Sequence, residues 1–173
     1  MSEKKFNEIV FYQTENFKAF VPLKPHIPRE DGGHIRIGAR EKLFSSRLDL
    51  TPAEAIEVMR LTMLISEAMI NGMKVRGVNI KRINYQENGN WAYLRDAEPG
   101  FHIHLYGRTE DSKSQVWGES LYFPNPNDSF YNGFEPFNDE DIEEIKKQIA
   151  LLEDTEKYKL ENWKSRTIWK RKN

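Results

Sequence analysis

Two of the four histidines in this chain, His102 and His104, stand one residue apart in GFHIHLYGR (100–108). Phe101, Ile103 and Leu105 alternate with them. A strand here puts both imidazoles on one face and the apolar side chains on the other. Adjacent imidazoles can bind a metal, hold an anion when protonated, or supply a nucleophile with a partner beside it. A third histidine, His34, opens HIRIGAR (34–40), sharing a strand face with Arg36 while Ile35 and Ile37 take the other. Gly100 falls on the same strand face as His102 and His104, where a further imidazole could stand.

The elements that must position these residues can be read from periodicity and punctuation. EIVFYQTENFKAFVPL (8–23) reads as a hairpin turning at Thr14–Asn16. The loop 24–33 is stiffened by Pro25 and Pro28 and closed by paired glycines. TPAE (51–54) supplies an N-cap, a proline at the first helical position and the glutamate of a capping box. Ala55, Val58, Met59, Met63, Ile65, Met69 and Ile70 recur at helical spacing, which predicts a core-facing helix stopping near Gly72. A strand over 78–86, a turn-rich loop over 87–100 and the histidine strand follow. Residues 109–136 are polar and aromatic, with turns at NPND and YNGF. A last helix over about 139–153 carries Ile142, Ile145, Ile149 and Leu152 on one stripe, with Tyr158, Leu160 and Trp163 prolonging or following it. The order β-β-β-α-β-β-α indicates an α+β fold: an antiparallel sheet with one long helix packed on it and a C-terminal helical extension.

Bulk properties bound the function. At 173 residues, 38% hydrophobic and 12% aromatic, the chain suits a single domain over 1–173, with a core at about 8–108 and an extension over 109–173. The formal net charge of −1 gives no electrostatic case for nucleic acid or an acidic membrane. Basic residues gather only from Thr155 onward, ending in WKRKN, as at a solvated helix end. Cysteine is absent, which removes disulfides, thiol catalysis and thiolate-bound zinc. No apolar run reaches the ~20 residues of a membrane span, and MSEKKFNEIV lacks the apolar core of a signal peptide, so a cytoplasmic protein is expected.

A metal reading can be tested on spacing. H-x-H also opens the metal motif of cupin barrels, but Glu110 lies near rather than at the carboxylate position and no histidine follows His104. A three-histidine zinc site using His34 stays open on the donor set alone.

The segment HLYGR, with the histidine two residues before it, resembles the histidine triad (HIT) family, whose motif is His-φ-His-φ-His-φ-φ with φ apolar, often followed by proline or glycine and then arginine. His104 takes the third position, His102 the middle one, and Gly100 replaces the first histidine. GGHIRIG resembles the family's upstream strand with its fourth histidine, here His34. TENFKAFVPLKP resembles its opening hairpin and LDLTPAEAIEVMRL its long helix, so the resemblance spans about 8–108.

That resemblance implies a nucleotide hydrolase or nucleotidyltransferase acting at the α-phosphorus through a nucleotidyl-histidine on His102, without cofactor or metal. It implies a nucleotide or dinucleotide substrate and a possible homodimer. His104 and His34 would donate to phosphate oxygens, and Asn84 would contact phosphate or ribose. The carbonyl of Gly100 would orient His102. Trp91 and Tyr93 could stack on a base; Asn88 and Asn90 read as turn formers. The family's ribose-binding acidic position falls on Pro22, and the polar residues usual before the triad are not recognisable in RDAEPGF. The alternative is a catalytically weakened nucleotide-binding module on the same fold.

Overall fold

Alternation at the N-terminus produces the expected hairpin, β1 (Glu8–Gln13) and β2 (Phe17–Pro22), joined through Thr14–Asn16. The computed structural model describes residues 8–95 and 97–164; the last part of the basic segment, 165–173, lies outside them. β3 (His34–Ala39), β4 (Arg82–Gln86) and β5 (His102–Arg108) complete a five-stranded antiparallel sheet ordered β1-β2-β3-β5-β4. β4 is shorter than the span 78–86 expected for it. Val78 and Ile80 are buried in the core ahead of the strand rather than paired within it.

The long helix α1 (Pro52–Val75) begins as its sequence requires. The Thr51 hydroxyl accepts from the Glu54 N–H, and the Glu54 carboxylate accepts from the Thr51 N–H. It does not stop at Gly72 but runs on to Val75, and Gly77 takes the positive φ of the exit turn at +85°. Gly72 is instead a packing residue: a Cβ there would lie 3.2 Å from backbone atoms of Ile145. Ile145 belongs to α2 (Asp139–Glu153), which buries Ile142, Ile145 and Ile149 against α1. Tyr158 follows that helix and is itself buried. No helix among the described residues is long and apolar enough to cross a membrane.

The core lies between one sheet face and α1. Ala19, Val21, Ile35, Ile37 and Leu105 meet Leu61, Leu64, Ile65, Ala68 and Met69, all fully buried. Each Val, Leu, Ile and Met side chain among them contributes about 1.5–3 kcal/mol of transfer free energy. The methionine stripe is only partly core: Met69 and Met73 are buried, but Met59 is 52% exposed and Ala55 is exposed too. The amino-terminal half of the stripe thus borders a surface groove of 390 Å³ with Met63 and Tyr85, beside the β4 edge.

Buried Asp141 ties three parts of the fold together. It accepts from the guanidinium of Arg29 in the loop after β2, from Arg76 at the end of α1, and from the Asn138 N–H in its own capping box. Burial pushes its carboxyl up, but the hydrogen bonds from Arg29 and Arg76 outweigh that and hold it below the usual carboxylate range.

Candidate active site

The strand register assembles the site. His34, Arg36 and Gly38 of β3 stand opposite Tyr106, His104 and His102 of β5, while Asn84 and Gln86 of β4 stand opposite Tyr106 and His104. Opposed residues share a sheet face, so the face turned away from α1 carries every one of these side chains. Sequence separation between His34 and the histidine strand is thereby reduced to one strand spacing.

His26 completes the cluster, and it was not singled out in the sequence. Its ring centroid lies 4.8 Å from that of His34 and 5.5 Å from that of His104. The signal was its place between Pro25 and Pro28, where a stiff loop returns a titratable residue to the sheet. That loop is pinned at several points. The Arg29 N–H donates to the Glu135 carbonyl at 2.8 Å, and Asp31, only 3% exposed, accepts from the Lys113 and Ser114 amides. Gly32 (φ +118°) faces Gly107 so closely that a Cβ on Gly107 would meet the Gly32 carbonyl oxygen at 2.1 Å. The glycine of HLYGR is there for this approach.

Hydrogen bonds fix the tautomers. The His26 backbone N–H donates to Nδ1 of His34 at 3.2 Å, so the proton of neutral His34 sits on Nε2. That N–H meets Nδ1 of His104 at 2.8 Å, which leaves Nε2 of His104 as an N–H. Nδ1 of His102 lies 2.7 Å from the Gly100 carbonyl oxygen. A carbonyl only accepts, so Nδ1 holds the proton and Nε2 of His102 keeps its lone pair. The His102 and His104 rings stand edge to face with centroids 4.7 Å apart. Burial, then the charges of His26, His104 and Arg36, push the His34 pKa well below its ordinary value, so it is neutral at pH 7. Burial also raises the Tyr106 phenol, which shares a 2.8 Å hydrogen bond with Nδ1 of His26.

A cavity of 320 Å³ opens over these rings, lined by His26, Arg36, Asn88, Trp91, His102 and His104 on one side and by Asn125–Asn127 on the other. Trp91 therefore lines it, whereas Tyr93 is 88% exposed. Asn84 lies on the site face beside Tyr106, but it is Asn88 that borders the cavity. Gly100 precedes β5 rather than lying within it, has no positive φ, and a Cβ there would meet nothing within 4 Å. The far wall comes from 109–136, for which the sequence indicated only turns. Phe123 packs 4.9 Å from Tyr106 and 5.3 Å from His26 between ring centroids.

His26, His34 and His104 each present a ring nitrogen within 4.8 Å of the others, a donor set suited to a zinc-like ion. This differs from the trio anticipated, with His26 in place of His102. An ion held by the nitrogens that join His34 to His104 would displace the proton between them. Metal binding and the oriented imidazole chain are therefore competing uses of the same atoms.

No protein-family model matches the sequence, and neither does any curated protein. Solved structures do match. A histidine triad protein from Bradyrhizobium japonicum is 17% identical, with a TM-score of 0.58 covering 86% of this chain and 96% of that one. The fold is that of the histidine triad proteins. A hypothetical histidine triad nucleotide-binding protein from Sulfolobus tokodaii (17% identity, TM-score 0.53) matches over 84% of this chain and 86% of its own. A zinc-bound histidine triad family protein from Mycobacterium smegmatis does so at 18% identity, with the same score and the same shares. At these identities the likeness is one of fold. On the histidine triad fold, this chain has imidazoles at 34, 102 and 104, a glycine at 100, and His26 in the loop after β2.

Proposed function

We propose that the protein is a nucleotide hydrolase or nucleotidyltransferase acting at the α-phosphorus, with His102 as the nucleophile. The observation that carries this reading is the 2.7 Å contact of His102 Nδ1 with the Gly100 carbonyl, which puts the proton on Nδ1 and the nucleophilic lone pair on Nε2. Nε2 forms a bond to phosphorus, the bond to the leaving group breaks, and a nucleotidyl-histidine results. Water then adds to phosphorus, the P–N bond breaks, and the nucleoside monophosphate is released. His104 donates to a non-bridging oxygen as charge builds on phosphorus, held in that role by His34. Asn88, with Asn84 behind it, contacts phosphate or ribose, and Trp91 stacks on the base. Imidazole and amide donors meet the charge, so no metal takes part. The partner is a nucleotide or dinucleotide, and nucleic acid is not expected.

The open space at Gly100 supports the second reading, a nucleotide-binding module with weakened chemistry. Incubation with diadenosine triphosphate or adenosine phosphoramidate followed by mass spectrometry separates the two. The enzyme gives AMP and an adenylyl adduct on His102, and the module gives neither. The exposed β4 edge and the groove at Met59, Met63 and Tyr85 support a homodimer through that side of the sheet.

A further inference from the structure

We infer that Arg36, backed by Lys24, forms a subsite for a second phosphoryl group, so that the preferred substrates are nucleoside or dinucleoside polyphosphates rather than phosphoramidates. This rests on the reading of His102 as the nucleophile.

Arg36 is placed by the sheet, not by a loop. It stands directly opposite His104 in the β3–β5 register and one diagonal step from His102, within reach of a long side chain. Its guanidinium lies over the Phe20 ring, 5.3 Å from the centroid, and Phe20 is its register partner on β2. Stacking on an aromatic face fixes the plane of the guanidinium, and the N–H fork of an arginine matches pairs of phosphate oxygens in geometry.

The residue also marks a boundary. Beyond the 320 Å³ cavity over the histidines lies a second of 640 Å³, and Arg36, His26, Trp91, Pro126 and Asn127 line both. Lys24 lines only the second. No Asp or Glu is among the described residues lining the first cavity. Among the described residues lining the second, the one carboxylate is Asp128, whose Oδ1 accepts the Phe130 N–H. A substrate with its α-phosphate at His102 thus meets a permanent cation as it passes toward the larger cavity, and a second cation inside it.

The chemistry gives that cation a purpose. When Nε2 of His102 attacks a polyphosphate, the phosphorus–oxygen bond breaks and its electron pair leaves on a terminal phosphate oxygen. That anion needs no proton but needs positive charge beside it. When a phosphoramidate is attacked, the phosphorus–nitrogen bond breaks and the departing nitrogen must take up a proton, which an arginine cannot supply.

The test compares AMP release from diadenosine triphosphate and from adenosine phosphoramidate in the wild type, Arg36→Met, Arg36→Lys and Lys24→Met. Calorimetric titration of AMP and ADP accompanies it. Arg36→Met is expected to lower the triphosphate-to-phosphoramidate ratio of kcat/KM about 10- to 100-fold, as for the loss of a charge-assisted hydrogen bond. Arg36→Lys should recover part of it, and the preference for ADP over AMP should fall in parallel. Lys24 is exposed, so its variant keeps the fold and reads the outer cation alone, with a smaller drop in the ratio. Ratios that stay within about threefold in both Met variants, with the ADP preference intact, overturn the subsite while leaving the nucleophile standing. Failure of the wild type to cleave either compound or bind either nucleotide overturns the nucleophile reading, and the subsite with it.

Discussion

A neutral imidazole attacks through whichever nitrogen lacks the proton, so the role of His102 depends on what its Nδ1 touches. The Gly100 carbonyl supplies that contact from the backbone, and no side chain at 100 is needed for it. His102→Asn is therefore expected to lose about 10³-fold or more in turnover with an unchanged melting temperature; full turnover in that variant removes His102 from the role. Gly100→His is expected to keep both fold and activity. The position has an ordinary φ and open space around the missing Cβ, so stability should stay within about 0.5 kcal/mol of wild type. Coincident loss of turnover and stability would show that the backbone there requires glycine.

At the scale of elements, the site depends on how the loop 24–33 is held down. Asp141 does this from the first turn of α2, through Arg29. Asp141→Asn takes the carboxylate from Arg29 while Arg76 keeps Glu140, and is expected to cost about 1–3 kcal/mol, read from the urea midpoint. The sign of its pH dependence follows from the depressed pKa. The stabilisation is present above the unfolded carboxyl value and is lost as pH falls through the folded one, below about pH 4. A variant as stable as wild type would mean that α2 does not anchor the loop.

For the whole molecule, four imidazoles share one partly closed cluster, and buried His34 sets the response to mild acid. His34 is neutral when folded and titrates near 6.5 when unfolded, so between its two values the unfolded state holds the extra proton. Stability is expected to be level above about pH 6.5 and to fall by about 1.4 kcal/mol per pH unit below it. Urea denaturation between pH 8 and pH 5 measures this, and a flat profile would contradict a buried neutral His34. Because zinc on His26, His34 and His104 would compete with the proton between His34 and His104, chelation is expected to leave turnover unchanged and added zinc to lower it. Activity lost on chelation and restored by zinc would reverse that. Met59→Lys, in the groove beside β4, should shift sedimentation toward a monomer if a second copy covers that side.

Local sequence was enough for much of this. Strict alternation in GFHIHLYGR determined the face of His102 and His104, because side-chain direction in a strand needs only the neighbouring residues. The TPAE cap placed the start of α1, and the isoleucine stripe placed α2, for the same reason. What depends on distant chain was not legible. Gly72 looked like a helix stop because glycine ends helices, yet it is kept small by Ile145 of another helix. Met59 had the spacing of a core residue, but no element among the described residues covers it. Asn84 was ranked above Asn88, which read as a turn former, yet it is Asn88 that borders the cavity. His26 and the wall built from 109–136 became part of the site only through Asp31, Asp141 and the paired glycines, contacts that join segments far apart in sequence. The residues able to do chemistry, and the carbonyl that orients His102, were written locally; which of them meet, and which proton His34 and His104 hold, was decided by tertiary hydrogen bonds.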